Sequence, residues 1–258
     1  MASYIIIACV ALLVSALTFF SGFGLGTLLM PAFALFFPLE SAIALTAVVH
    51  LLNNLFKLTL IGRKADWGTV IAFGLPAALA AMLGASLLVW LTGLQPLYSY
   101  QWLGRSFSVT ALDISIAVLI MFFALMDIFK WMPPLQKSVF SLPLGGMLSG
   151  FFGGLSGHQG ALRSAVLVKF NLGKEAFIAT GVVIAVIIDV ARLFVYSSRF
   201  KPELYMDNVP LLVTAVLAAF SGAFIGNRLL KKMTIGSVRY VVAAMLILIS
   251  LALMAGLI

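Results

Sequence analysis

Three groups of polar residues interrupt an otherwise apolar chain of 258 residues, and their chemistry suits an anion or a proton. The first is Ser156, Gly157, His158 and Gln159, followed by Arg163. Hydroxyl, imidazole, amide and guanidinium are all donors to an oxyanion, and the guanidinium fork matches one with two bonds. His158 also belongs to the side-chain type that titrates near neutrality. The second group is His50, Asn53, Asn54 and Lys57, at i, i+3, i+4 and i+7 and so on one helical face. Asp189 and Arg192, one turn apart, form the third. Asp189 is the deepest carboxylate in the sequence and the leading candidate to carry a coupling proton. Each group also has a structural reading. Arg163 and Lys57 can snorkel, Asn53 and Asn54 can bond neighbouring helices, and Asp189 with Arg192 can be an ordinary ion pair.

Other chemistries lack their residues. The two histidines, His50 and His158, stand far from one another and from any acidic cluster. No Cys/His set for a metal is present, and no Gly-x-x-x-x-Gly-Lys-[Ser/Thr] segment for a nucleotide. Neither an enzyme nor a metal or other cofactor is therefore expected. The lone cysteine, Cys9, reads as a small buried residue.

With 63% hydrophobic and 9% charged residues, the composition is that of a polytopic membrane protein. The net charge of +8 sits in short loops, which argues for topology rather than nucleic-acid binding. The first apolar stretch lacks a basic lead and a cleavage motif, so it reads as a span. Ten segments are expected at about 3–21, 25–37, 41–62, 67–93, 108–131, 139–154, 160–170, 174–196, 207–230 and 236–258. The second and seventh are too short to cross a bilayer alone. Each follows a glycine-rich break, the first containing Gly24 and Gly26 before Thr27, the second running from Gly150 to Gly160. They read as half-helices or re-entrant elements, whose unpaired N–H groups can attract an anion.

Arg63, Lys64, Lys130, Lys137, Lys169, Lys174, Arg228, Lys231, Lys232 and Arg239 share one side in this scheme, against Arg105, Arg199 and Lys201 on the other. The positive-inside rule then places both termini outside. Asp113 and Asp127, near the ends of the fifth segment, read as interfacial. At an offset of 134 residues, 26–62 matches 160–196 at seven of 37 positions, among them Gly26/Gly160 and Thr46/Thr180. The order of elements also repeats. The expected fold is an all-α polytopic membrane protein with 8–10 transmembrane segments in two five-segment halves, 1–131 and 132–258, the second inverted.

Gly22-Phe23-Gly24-Leu25-Gly26-Thr27-Leu28-Leu29-Met30-Pro31 resembles the glycine-rich segment of the TauE/SafE sulfite exporter family, also called toluene sulfonate uptake permeases. Ala42-Ile43-Ala44-Leu45-Thr46 and Arg63-Lys64-Ala65-Asp66-Trp67 resemble its next helix and basic loop, and Gly153 to Gly160 its second-half repeat. Leu25 and His158-Gln159 depart from the usual glycine runs. The resemblance implies transport of sulfite or an organosulfonate such as sulfoacetate across a bacterial inner membrane.

The expectation is thus a secondary transporter of a small anion, with protons as coupling ion. Gly24, Gly26, Thr27, Asn54, Ser156, Gly157, His158, Gln159 and Arg163 are the candidate binding residues. His50, Asn53, Lys57, Asp189 and Arg192 are the candidate coupling or pathway residues. A passive anion channel, a carrier of a non-sulfur carboxylate and a membrane scaffold are the competing readings, and a homo-oligomer is compatible with the apolar surfaces.

Overall fold

The computed structural model describes residues 1–21, 25–129, 140–229 and 236–258. Gly24, Lys130, Lys137, Lys231 and Lys232 lie outside the described residues, as do the side chains of Asp127 and Arg239.

Each of the ten expected segments is a helix. They are α1 (Ala2–Ser21), α2 (Leu25–Ala34), α3 (Leu39–Ile61), α4 (Trp67–Thr92), α5 (Ala111–Phe129), α6 (Ser141–Ser156), α7 (Gly160–Leu167), α8 (Lys174–Tyr196), α10 (Val209–Leu229) and α11 (Gly236–Met254). A short helix α9 (Pro202–Met206) precedes α10. The loop after α4 is also ordered, as an antiparallel hairpin of β1 (Tyr98–Trp102) and β2 (Arg105–Val109). Tyr98 and Tyr100 donate to the carbonyls of Met254 and Ala255, tying this hairpin to the end of α11. The chain is therefore an all-α polytopic membrane protein with one small hairpin outside its helices. Among the described residues, Leu39–Lys64, Trp67–Thr92, Lys174–Tyr196 and Val209–Arg228 are long and apolar enough to cross a membrane.

Small residues decide how closely the helices approach. On α6, Gly146, Gly150 and Gly154 recur every four residues and face Phe73, Ala77 and Ala81 of α4. A methyl group at Gly150 would stand 2.0 Å from the Ala77 carbonyl oxygen, so backbone meets backbone directly. Gly222 of α10 meets α1 the same way, 2.1 Å from the Leu12 carbonyl oxygen by the same measure. In a membrane, where apolar burial does not drive helices together, such contacts supply the van der Waals attraction.

The second short element folds back along its predecessor. Gly145, near the start of α6, packs on Val166, near the end of α7. At the other end Gly153 packs on Gln159, and Ser149 Oγ donates to the Gln159 carbonyl at 2.9 Å. Thus α6 and α7 form an antiparallel hairpin, turned by Gly157 at φ +82°. α2 is also short, with ten residues, nearly all buried.

One expectation fails. Cys9 is exposed on α1 rather than buried, because α1 turns Ile7, Ala11 and Val14 inward and Cys9 projects from another face. Asp113 has a specific role: with Thr110 it forms a reciprocal cap for the start of α5.

Candidate functional site

The two glycine breaks meet inside the helix bundle. A methyl group at Gly26 would lie 3.5 Å from the Gly157 carbonyl oxygen, 3.8 Å from Thr46 and 3.9 Å from His50. One at Gly157 would lie 3.0 Å from Nη1 of Arg192. A side chain at Gly157 would crowd this junction, where α2, α3, α8 and the α6–α7 turn converge, whereas one methyl group at Gly26 would sit at ordinary contact distance.

Asp189 organises the polar residues around it. Oδ2 lies 2.6 Å from His50 Nδ1 and accepts from Asn54 Nδ2 at 3.3 Å. Oδ1 accepts from Gln159 Nε2 at 3.0 Å and from Arg192 Nε at 3.1 Å. Arg192 Nη2 also lies 2.8 Å from Oδ1, but this is an ion-pair contact, since its angle leaves Nη2 without a hydrogen-bond partner. Gln159 passes the contact outward, accepting from Arg163 Nη1 at 3.2 Å. Three segments of the chain, α3, the α6–α7 hairpin and α8, thus share one buried carboxylate. That is how a buried carboxylate is retained: opposite charge with both oxygens satisfied.

The structure brings His50, Asn54, Gln159, Arg163, Asp189 and Arg192 into one network, although His50 and Asp189 are 139 residues apart in sequence. Gly26, Gly157 and His158 border it, and Thr27 is buried in the first turn of α2. Asn53 points elsewhere, toward α1 and α10. With its amide oriented to satisfy its neighbours, it donates to the Ala219 carbonyl at 3.1 Å and accepts from Lys57 Nζ at 3.3 Å. Ser15 of α1 lies 3.2 Å from it. Lys57 is only 5% exposed, so its ammonium is held inside rather than snorkelling.

Ser156 and His158 form a relay of their own. Ser156 Oγ donates to the Phe152 carbonyl at 3.1 Å and lies 3.0 Å from His158 Nδ1. The imidazole stacks on Phe123 of α5, with centroids 5.8 Å apart and rings 4° from parallel.

Four buried side-chain atoms among the described residues lack a hydrogen-bond partner: Thr46 Oγ1, His158 Nε2, Arg192 Nη2 and Ser250 Oγ. Ser250 lies on α11, whereas the other three belong to residues around the Gly26–Gly157 junction. The buried charged side chains among the described residues are Lys57, Arg163, Asp189 and Arg192, so positive charge exceeds negative there. No group of acidic, histidine or cysteine side chains suited to a metal ion occurs among the described residues.

Sequence reasoning overlooked Thr46, Tyr196 and Phe123 as parts of this site. Tyr196 donates to the Gly154 carbonyl, fixing α8 to the end of α6. The Thr46/Thr180 correspondence between halves was the available signal, and Thr180 in turn accepts a bond from the Asp66 amide.

Small-residue seams, an antiparallel helical hairpin and a buried cationic cluster define a multi-pass membrane protein built around an internal polar site. The family model described as Sulfite exporter TauE/SafE matches residues 7–253. The chain belongs to this family of membrane transporters. No curated protein matches it.

Proposed function

We propose that this protein is a secondary carrier that moves a small oxyanion, sulfite or an organosulfonate such as sulfoacetate, across a bacterial inner membrane. The observation that carries the reading is the pair of unpartnered atoms Thr46 Oγ1 and His158 Nε2, on residues around the Gly26–Gly157 junction, beside the Arg192 guanidinium whose Nη2 is held only by an ion pair with Asp189. A buried polar atom without a partner costs about 1–3 kcal/mol, so its retention implies a ligand that satisfies it. An oxyanion has several acceptor oxygens and would also meet the local excess of positive charge. Gly26, Gly157 and Thr27 let the backbone of both breaks approach it, while Gln159 and Asn54 hold Asp189 and Arg192 in place.

Two halves, 1–131 and 132–258, would rock about this junction and open it to each side in turn. Exchanging the halves maps α1 onto α6, α2 onto α7, α3 onto α8, α4 onto α10 and α5 onto α11. The close pair α4–α6 then becomes α10–α1, also a close pair, and α3–α8 and α5–α11 map onto themselves. That exchange supports a two-fold repeat of the halves, while the placement of the basic loops carries the orientation with both termini outside. The protonatable side chains His50, His158 and Asp189 at the junction favour proton coupling, with Lys57 and Arg163 lining the way toward the basic loops.

Proteoliposomes with an imposed pH gradient test this. Radiolabelled sulfite or sulfoacetate should accumulate above equilibrium, and Arg192→Gln should abolish accumulation. Equilibration without accumulation would make the protein a channel. Accumulation of a carboxylate such as acetate, with neither sulfur anion moved, would reassign the substrate.

A further inference from the structure

His158 has a buried ring, only 3% exposed, and its two nitrogens meet different surroundings. The single hydroxyl proton of Ser156 is committed to the Phe152 carbonyl, 3.1 Å away. Ser156 Oγ can then only accept from His158 Nδ1, 3.0 Å away, so the neutral ring carries its proton on Nδ1. Nε2 is left with a bare lone pair and no donor. An anion beside the ring, at the turn that Gly157 makes between α6 and α7, would meet that lone pair with repulsion.

Protonation reverses the sign. A proton from bulk water adds to the Nε2 lone pair and gives an imidazolium whose new N–H can donate to the anion, while Nδ1–H stays on Ser156. The groups around the ring leave this change local. Helix α5 presents Phe123, and α6 presents Phe152 and Ser156. α8 presents Arg192, whose charge is matched by Asp189, and α3 presents His50, bonded to Asp189. No buried carboxylate among the described residues contacts His158, so the bound anion is the natural counter-ion of its imidazolium.

We infer that His158 Nε2 takes up one proton as the anion binds, making the anion and the proton a single co-substrate. This rests on the anion-carrier reading above. It also assigns the coupling proton to His158 rather than Asp189, which the His50, Asn54, Gln159 and Arg192 donors hold as a carboxylate.

Sulfate and sulfoacetate are suitable probes, because neither changes charge near neutral pH, as sulfite does. Adding either to the purified protein in weak buffer should take up about one proton per bound anion, and affinity should rise toward tenfold per unit fall in pH. In His158→Gln the side-chain amide is a permanent donor, so binding should persist with no proton uptake and no pH slope. Binding by the wild-type chain without proton uptake would overturn the inference, as would uptake surviving in His158→Gln. Absence of binding by either sulfur anion would instead overturn the sulfur-anion reading on which the inference rests.

Discussion

At the scale of single residues, the site is held together by pairings that no local pattern reveals. The i, i+3, i+4, i+7 stripe on α3 was legible, but it splits. His50 and Asn54 turn to Asp189 on α8, while Asn53 turns to α1 and α10. The cause is that α3 is surrounded by partners, so a polar stripe wide enough to cover two faces serves two interfaces. Thr46 was not legible as a site residue because one hydroxyl in Ala42-Ile43-Ala44-Leu45-Thr46 looks like tolerated helix content. Its unpartnered oxygen makes a sharp prediction. Thr46→Val should leave the anion-free protein as stable or more so, since an orphaned buried hydroxyl costs about 1–3 kcal/mol. The same change should weaken anion binding by about three- to tenfold, the worth of one hydrogen bond. Thermal unfolding with and without sulfoacetate measures both, and a fall in the stability of the anion-free protein would contradict the account.

Helices and their seams were the most legible scale. Runs of apolar residues broken by glycine or by basic loops mark all ten segments, and their ends fall within a few residues of the helices observed. The β1–β2 hairpin and α9 were missed because their order comes from contacts elsewhere, such as Tyr100 with the end of α11, rather than from apolar periodicity. The role of the α6 glycines was only half visible. Their four-residue spacing predicts close packing, but the partner helix, α4, is fixed by tertiary structure. Gly150→Ala forces a methyl group toward the Ala77 carbonyl and should destabilise by about 1–3 kcal/mol. Gly68→Ala, where the nearest atom is Asp66 Oδ1 at 3.6 Å, should cost far less on steric grounds. Equal unfolding temperatures for the two variants would mean that the α4–α6 seam is looser than described.

The start of α4 adds a pH dependence outside the membrane. Asp66 caps the helix by accepting from the Thr69 amide at 2.8 Å. Bonds from Thr69, the hydroxyl first and the amide second, hold the Asp66 carboxyl below its usual value. Its contribution is present in full above the unfolded-state pKa and is lost as pH falls through the lower folded value. Asp66→Ala should therefore lower the unfolding temperature at neutral pH, by the worth of about 1 kcal/mol for a cap. That difference should vanish in strong acid. Persistence of the full difference there would show that the cap does not act through the carboxylate.

The whole molecule brings together what sequence kept apart. Lys64 pairs with Glu175, so the loop after α3 and the start of α8 share one face. The β1–β2 hairpin and the end of α11 share another location, joined by Tyr98 and Tyr100. With Cys9 replaced by serine, cysteines at Lys64 and Glu175 should react only from the cytoplasmic side, and one at Leu103 only from outside. Labelling of Lys64 and Glu175 positions from opposite sides would contradict both the orientation and the described contact. The network around Asp189 gains its meaning at this scale, since it lies where Gly26 of the first half approaches Gly157 of the second.

The most direct test of an anion site at that junction is thermal stabilisation of the purified protein across sulfite, thiosulfate, sulfoacetate, taurine, sulfate and simple carboxylates. Ligand that binds only the folded state raises stability by about 2.7 kcal/mol at a hundred times its dissociation constant. The account predicts a selective upward shift with one or more sulfur oxyanions, reduced in Thr46→Val and absent in Arg192→Gln. A shift of equal size in Arg192→Gln would place the anion elsewhere and contradict it.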